Sequence, residues 1–370
     1  MAMREKRTCI VFHADSDGAA AAAMVYSRLL AENSSVSSGG VAGHHHQSVS
    51  LVPVLSAESV GKVIRSSSSL CNTSDDVFIL DLGAVSQEDV DYFIEESAVV
   101  VIDHHAVPAG VPLRNCIHEN PRLNGLPAKP VSLLVYDMLG RPDGFDWVAA
   151  VGVVGDWCAS MDPELLELVR TDYPGFATHS SQEELYFNDQ VGAIARGIDA
   201  VKSVEGASGM ISVVEALARN AAAGPNAFLN GCKEVTDSLK AIEAIVGRLK
   251  PLARTEETGG GRIVVLVIPE NDAAFEVKRE LVQLLSFENP ESNVVVVIQE
   301  GSDGSASFSL RQGKACARRI DLNVLARNAI KGFPGAGGGG HPEASGGGLR
   351  FADVPEFLRR VRLEVESGNK

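Results

Sequence analysis

The stretch VVVIDHHAVP, residues 99–108, runs four β-branched aliphatic residues straight into an aspartate and two adjacent histidines. A short continuous apolar run closed off by a proline predicts a strand buried on both faces, as in a parallel sheet. Three polar groups at the end of such a strand have no place in a core. In open α/β sheets the crevice outside the carboxyl ends of the strands is where ligands bind. Asp103, His104 and His105 therefore point to a site.

The neighbouring segments repeat the arrangement. TCIVFHA, LVPVL and VFILDL read as further strands, and AAAAAMVYSRLLA, SAESVGKVIR and SQEDVDYFIEE as helices between them. That alternation predicts a parallel sheet with right-handed crossovers. Residues 33–50 break the pattern with a Ser/Gly-rich run that reads as a flexible surface insertion, its triple histidine His44–His46 a solvated loop tip. SSSS at 66–69 is a second loop of this kind. Beyond Pro130 the pattern turns mainly helical as far as residue 253, and TEETGGGR at 255–262 reads as a linker. A second α/β pattern follows, with RIVVLVI, NVVVVIQE and SASFSLR as strands, then a glycine-rich loop GAGGGGHPEASGGG and a last helix. The expected organisation is an N-terminal domain over 1–200, a helical connector over 201–258 and a smaller α/β domain over 259–370, the two domains flanking a cleft.

Bulk properties narrow the function. A chain of 370 residues with 45% hydrophobic and 22% charged residues has the make-up of a soluble two-domain protein. No apolar run approaches the roughly 18 residues of a membrane span. The N-terminal MAMREKRT lacks the apolar stretch of a signal peptide, and the six cysteines show no CxxC spacing, so a cytoplasmic location with reduced thiols is expected. The net charge of −15 weighs against a protein that tracks long nucleic acid, because such binding rests on neutralising phosphates. Short or small phosphorylated substrates fit it better.

Several strand ends and one helix present acidic or imidazole groups: His13, Asp15 and Asp17 in VFHADSDGA, Asp81 in FILDLG, Asp103, His104 and His105, and Asp156 in VGVVGDW. An isolated ionised carboxylate is too costly to bury without a cation or hydrogen-bonding partner. Carboxylates with imidazoles and no thiolates suit Mn²⁺ or Mg²⁺ better than structural zinc. So many acidic groups in one crevice need a compensating charge of about two cations, which predicts a two-metal site.

These motifs resemble the DHH phosphoesterase superfamily, whose four catalytic-domain motifs appear in order across residues 10–157. SLRQG at 309–313 followed by GGGGHPEASGG resembles the DHHA1 domain of the RecJ-like and nanoRNase-like branch, and ENPRLNG at 119–125 resembles archaeal RecJ-like nucleases. The resemblance implies two Mn²⁺ ions, or Mg²⁺, with Asp15 and Asp17 on different ions, Asp81 bridging, and His104 and Asp156 completing the second site. His13 departs from many relatives, whose corresponding histidine stands further upstream of the aspartates. Asp103 would orient an imidazole, and His105 would meet the scissile phosphate and either stabilise the transition state or protonate the leaving group. Arg311, Gly338, Gly339, Gly340 and His341 would grip a substrate phosphate or terminal nucleotide, although the usual AAG after the histidine reads Ala344-Ser345-Gly346 here. The expected activity is metal-dependent hydrolysis of phosphoester bonds in short oligonucleotides or small nucleotides. A processive RecJ-like single-strand exonuclease, a polyphosphatase or pyrophosphatase, and an inactive scaffold are the alternatives. A basic track is missing for the first, the GGGGH segment speaks against the second, and the intact ligand set against the third.

Overall fold

A computed structural model describes residues 6–36, 48–55, 60–66, 74–83, 85–94, 97–107, 111–269 and 277–367. It divides into two compact units, 1–239 and 240–370.

The first unit is built on a five-stranded parallel sheet of β1 (Arg7–His13), β2 (Ser48–Val54), β3 (Asp76–Leu80), β4 (Ala98–Ile102) and β5 (Ile117–Glu119), in the order β2-β1-β3-β4-β5. Alternate residues of β1 feed two cores, Ile10 and Phe12 on one face and Cys9 and Val11 on the other. This two-sided burial is why the strands read as unbroken apolar runs. The chain leaves β1 for β2 on one side and reaches β3 on the other, so the topological switch point lies between β1 and β3. Their carboxyl ends carry His13 and Asp81, with the Asp103–His105 segment at the end of the next strand, β4.

The larger core lies under the Ser16–Val36 helix, in which Ala19–Ala23 are fully buried. Such small side chains let the Asp146–Gly155 helix come close. A Cβ on Gly155 would fall 2.0 Å from Ser16 Oγ, and one on Gly152 would fall 2.3 Å from Ser132 Oγ. Helices between 190 and 239, including buried Val201, Met210, Val213, Leu217 and Val235, pack into this same core. The insertion expected over 33–50 is shorter than its composition suggests, because helix continues to Val36 and β2 already begins at Ser48. Backbone pairing from Arg7↔Ser48 onward overrides the poor strand preference of the serines. His44–His46 lie outside the described residues.

The second unit holds a six-stranded mixed sheet of β6 (Arg254–Thr258), β7 (Gly261–Ile268), β8 (Val294–Glu300), β9 (Ser305–Arg311), β10 (Gly337–His341) and β11 (Ala344–Arg350), ordered β10-β11-β9-β8-β7-β6. Only β7 and β8 run parallel, joined through the Lys278–Glu288 helix. The glycine run expected as a loop is strand β10, paired with β11 from Gly337↔Gly348 to His341↔Ala344. Packing demands glycine at some of these positions: a Cβ on Gly347 would sit 2.3 Å from Gly337 O, and one on Gly340 2.5 Å from Ala344 O.

Candidate metal centre

Three segments converge at the switch point. β1 ends in His13 and passes through Ala14 and Asp15 into the Ser16–Val36 helix, whose first amide donates to Asp199 Oδ1 at 2.8 Å. Gly18 lets this turn close, since a Cβ there would fall 2.2 Å from His13 O. Asp81 follows β3 directly in the left-handed region, φ 59°. Aspartate tolerates that conformation better than most residues, and a non-glycine residue held there points to a positional demand. The Asp146–Gly155 helix stops at Asp156 with Trp157 also left-handed, φ 59°, and Cys158 N donating back to Val153 O at 2.9 Å. This termination places Asp156 at the carboxyl end of the helix.

Ligand-capable atoms gather in three groups, each within 4.8 Å: His13, Asp15 and Asp81; Asp17, His104 and Asp156; and Asp81, His104 and His105. Asp81 joins them through its two oxygens. Oδ2 stands 3.5 Å from His13 Nδ1, and Oδ1 stands 3.4 Å from His104 Nε2. His13 Nδ1 is 2.6 Å from Asp15 Oδ2, and His104 Nδ1 is 3.5 Å from Asp156 Oδ2. His13, despite its displaced position in the motif, thus stands within the cluster.

The electrostatics describe a site short of positive charge. Asp17 is pushed well above the ordinary carboxylate value by burial and by Asp81 and Asp156. Burial, only partly opposed by His104, raises Asp156 to about 6. Burial would lower His13 and His104, but hydrogen bonds to Asp15 and Asp81 carry His13 up to about 10, and Asp81, Asp17 and Asp156 carry His104 to about 9. The imidazolium groups thus stand in for cations. Asp81 Oδ1 and His104 Nδ1 are buried without a hydrogen-bond partner. Buried polar atoms are normally satisfied, and a divalent ion would satisfy these. The oxygen-rich donor set fits Mn²⁺ or Mg²⁺.

Around the cluster lie residues that sequence reasoning passed over. Asp17 accepts from Val131 N at 2.7 Å and Ser132 N at 2.9 Å, the first amides of the Val131–Met138 helix, which has no side-chain cap of its own. It thus caps a helix more than a hundred positions away while facing the acidic and imidazole cluster. His105 Nδ1 lies 2.7 Å from Asp103 Oδ1, and Asn120 Nδ2 donates to His105 O at 3.0 Å and to Asp103 Oδ2 at 3.4 Å. Arg122 Nε donates to His104 O at 2.8 Å. The Asn-Pro pair of ENPRLNG was the available signal, Asn120 being the cap of a short 3₁₀ turn. Gly83 had no signal; a Cβ there would meet His105 Cγ at 2.5 Å. Cys158 Sγ lies 3.5 Å from Asp156 Oδ2, and burial and that carboxylate push the thiol up to about 12, which keeps it neutral.

In the second unit Arg311, Ala344 and His341 lie in register across β9, β11 and β10. Arg311 and His341 are therefore two strand spacings apart, about 10 Å. Arg311 is half-buried, whereas His341, Gly338 and Gly340 are exposed and Gly339 is partly so.

Residues 7–160 match the model of the DHH family, N-terminal domain, and residues 260–367 that of the DHHA1 domain. No curated protein matches the chain. Among solved structures, RecJ from Thermus thermophilus in complex with Mn²⁺ is similar at 19% identity and a TM-score of 0.56, over 98% of this chain and 52% of RecJ. The chain thus spans about half the length of that protein. The DHH domain of a protein assigned to a family of ribosomal proteins gives 17% identity and a TM-score of 0.67, over 99% of this chain and 88% of the other. A pGpG-specific phosphodiesterase from Vibrio cholerae gives 14% and 0.55, over 99% and 100%. At these identities the likeness is one of fold.

Proposed function

We propose that this chain, which carries a DHH domain followed by a DHHA1 domain, is a divalent-metal-dependent phosphoesterase acting on short oligonucleotides or small nucleotides. The observation that carries the reading is the pair of ligand groups linked through Asp81, with Asp81 Oδ1 and His104 Nδ1 buried and unsatisfied. His13, Asp15 and Asp81 would hold one ion; Asp17, His104 and Asp156, with Asp81 shared, would hold the second. A similar RecJ carries Mn²⁺ in its structure, which supports Mn²⁺ as the resident ion. Two such ions supply charge neutralisation at phosphorus and a water acidified for in-line attack.

The chain's own groups supply the rest. His105 is fixed by Asp103, whose carboxylate receives its Nδ1–H and leaves Nε2 for the substrate. Its hydrogen bond to Asp103 raises its pKa and so favours the protonated imidazole, which could pass its proton to the leaving oxygen. Arg311 and His341 in the DHHA1 unit would recognise the terminal phosphate or nucleotide. Cys9, Cys116, Cys158, Cys232 and Cys316 are free thiols, which fits a cytoplasmic location. Among the described residues no helix is long and apolar enough to cross a membrane.

The test is hydrolysis of 5′- and 3′-labelled oligomers from two nucleotides upward in the presence of Mn²⁺. The proposal expects activity that falls sharply with length; length-independent degradation would instead establish the exonuclease reading. Full Mn²⁺-dependent hydrolysis by an Asp81→Ala variant would remove the mechanism altogether.

A further inference from the structure

Outside the metal cluster, the feature with the most unexplained chemistry is one face of the second unit's sheet. β9 alternates strictly. Ala306, Phe308 and Leu310 enter the core, so Ser305, Ser307, Ser309 and Arg311 occupy the opposite face. Across the ladder, Ser309 pairs with Gly346, Ser307 with Gly348 and Ser305 with Arg350. The face is thus made of serine and glycine with an arginine at either end, about 20 Å apart along seven residues. Serine and glycine neither pack a core nor favour a strand.

At the Ser305–Arg350 end the face opens into a cavity of about 570 Å³, lined by Lys278, Arg279, Glu300, Ser305, Ser307 and Arg350 among others. Its lining includes Lys278, Arg279 and Arg350, the last already balanced by Asp353, in a chain whose net charge is −15. Arg350 is fixed by a two-pronged pair to Asp353, at 2.8 and 3.0 Å. Lys278 and Arg279 begin an 11-residue helix whose first turn has no side-chain cap, so its amide ends add positive potential there. Arg279 also lies within electrostatic reach of Arg311, joining the two ends of the face.

Gly348, in the cavity wall, is the telling residue. A Cβ there would meet nothing closer than Ala306 O at 3.6 Å, an ordinary contact, unlike the crowded Gly347 beside it. The fold does not require glycine at 348, and interior strand glycines often mark the close approach of a ligand.

We propose that this cavity is a second phosphate subsite, distinct from the Arg311–His341 end, which takes a further nucleotide unit of an oligonucleotide substrate. The subsite rests on the phosphoesterase reading for its ligand, with Lys278 and Arg279 meeting the phosphate, Ser305 and Ser307 donating hydroxyls, and Gln299, paired with Ser307, accepting from a sugar hydroxyl. An oligomer long enough to reach both ends gains contacts that a mononucleotide cannot.

The test uses the full chain, with divalent ions removed by EDTA, titrated calorimetrically with a 5′-phosphorylated tetranucleotide and with a mononucleotide. Lys278→Ala and Gly348→Val should each weaken tetranucleotide binding at least tenfold and leave mononucleotide binding unchanged. Valine is the better strand former, so Gly348→Val should melt no lower than the parent chain, which separates a blocked cavity from a damaged fold. Absence of tetranucleotide binding by the parent chain, tetranucleotide affinity indifferent to both changes, or equal losses for both ligands would overturn the subsite. Failure of the phosphoesterase reading shows separately, as absence of Mn²⁺-dependent hydrolysis of any substrate, and leaves the titration to decide the cavity.

Discussion

His105 illustrates how much of a candidate site resides in the residues that position a side chain. Its ring is fixed by the 2.7 Å contact to Asp103, its backbone by Asn120, and its space by the missing side chain of Gly83. Asp103→Asn keeps the shape but removes the charge that holds Nδ1–H and raises the His105 pKa. We expect kcat to fall about 10–100-fold, as for other groups that orient a working imidazole. The alkaline limb of the rate profile should move to lower pH, while Mn²⁺ affinity stays near its starting value; an unmoved limb would detach Asp103 from proton transfer. Gly83→Ala places a methyl where the ring now lies, 2.5 Å from Cγ. It should lower kcat by a comparable factor with metal binding intact, measurable by comparing turnover with a Mn²⁺ titration. At this scale the titratable residues were legible because carboxylates and imidazoles after apolar strands have no structural excuse. Asn120, Ser132 and Gly83 were not, because their roles depend on partners brought together only by folding.

The elements show which sequence signals suffice. The run VVVID predicted β4, with Asp103 at its carboxyl end, because a strand buried on both faces leaves a distinct, unbroken apolar signature. GGGGH misled because glycine has no side chain to betray a strand, and only its pairing with β11 reveals one. VGVVGDW predicted a helix correctly, and the structure adds why its glycines matter. The Asp146–Gly155 helix touches the Val131–Met138 helix and Asp17 through Gly152, where a Cβ would lie 2.3 Å from Ser132 Oγ and 2.9 Å from Asp17 Oδ1. Alanine normally improves a helix interior by about 1 kcal/mol over glycine. Forcing an atom into a filled interface costs about 1–3 kcal/mol, and here it also presses on a carboxylate of the cluster. Gly152→Ala should therefore lower the melting temperature and weaken Mn²⁺ binding together. A variant that melted higher with unchanged Mn²⁺ affinity would show that the contact is easily relieved.

For the molecule as a whole, the cluster ties stability to both pH and metal. His13 and His104 hold their protons to about 10 and about 9 in the metal-free fold, against about 6.5 in an unfolded chain. A raised value means that their contribution is complete below pH 6.5 and is lost as pH climbs through 9 to 10. Asp156, raised to about 6, acts in the same sense at lower pH, its contribution present below about 4 and lost as pH rises through 6. The metal-free protein should accordingly melt at a lower temperature at pH 9 than at pH 6.5. Ligation needs the neutral imidazoles and ionised carboxylates, so uptake of Mn²⁺ must expel protons, and affinity should increase over the same range. At 100 times the dissociation constant the bound ions would stabilise the fold by about 2.7 kcal/mol per site. The rise in melting temperature on adding a fixed excess of Mn²⁺ should therefore be larger at pH 8 than at pH 6. Calorimetric titration at pH 8 in two buffers of different ionisation enthalpy gives the number of protons released. His13 and His104 are still protonated there, so these two imidazoles alone should give up about two protons as both ions bind. Uptake without proton release would show that neither imidazole is a ligand, and would leave the carboxylates alone to hold the metals.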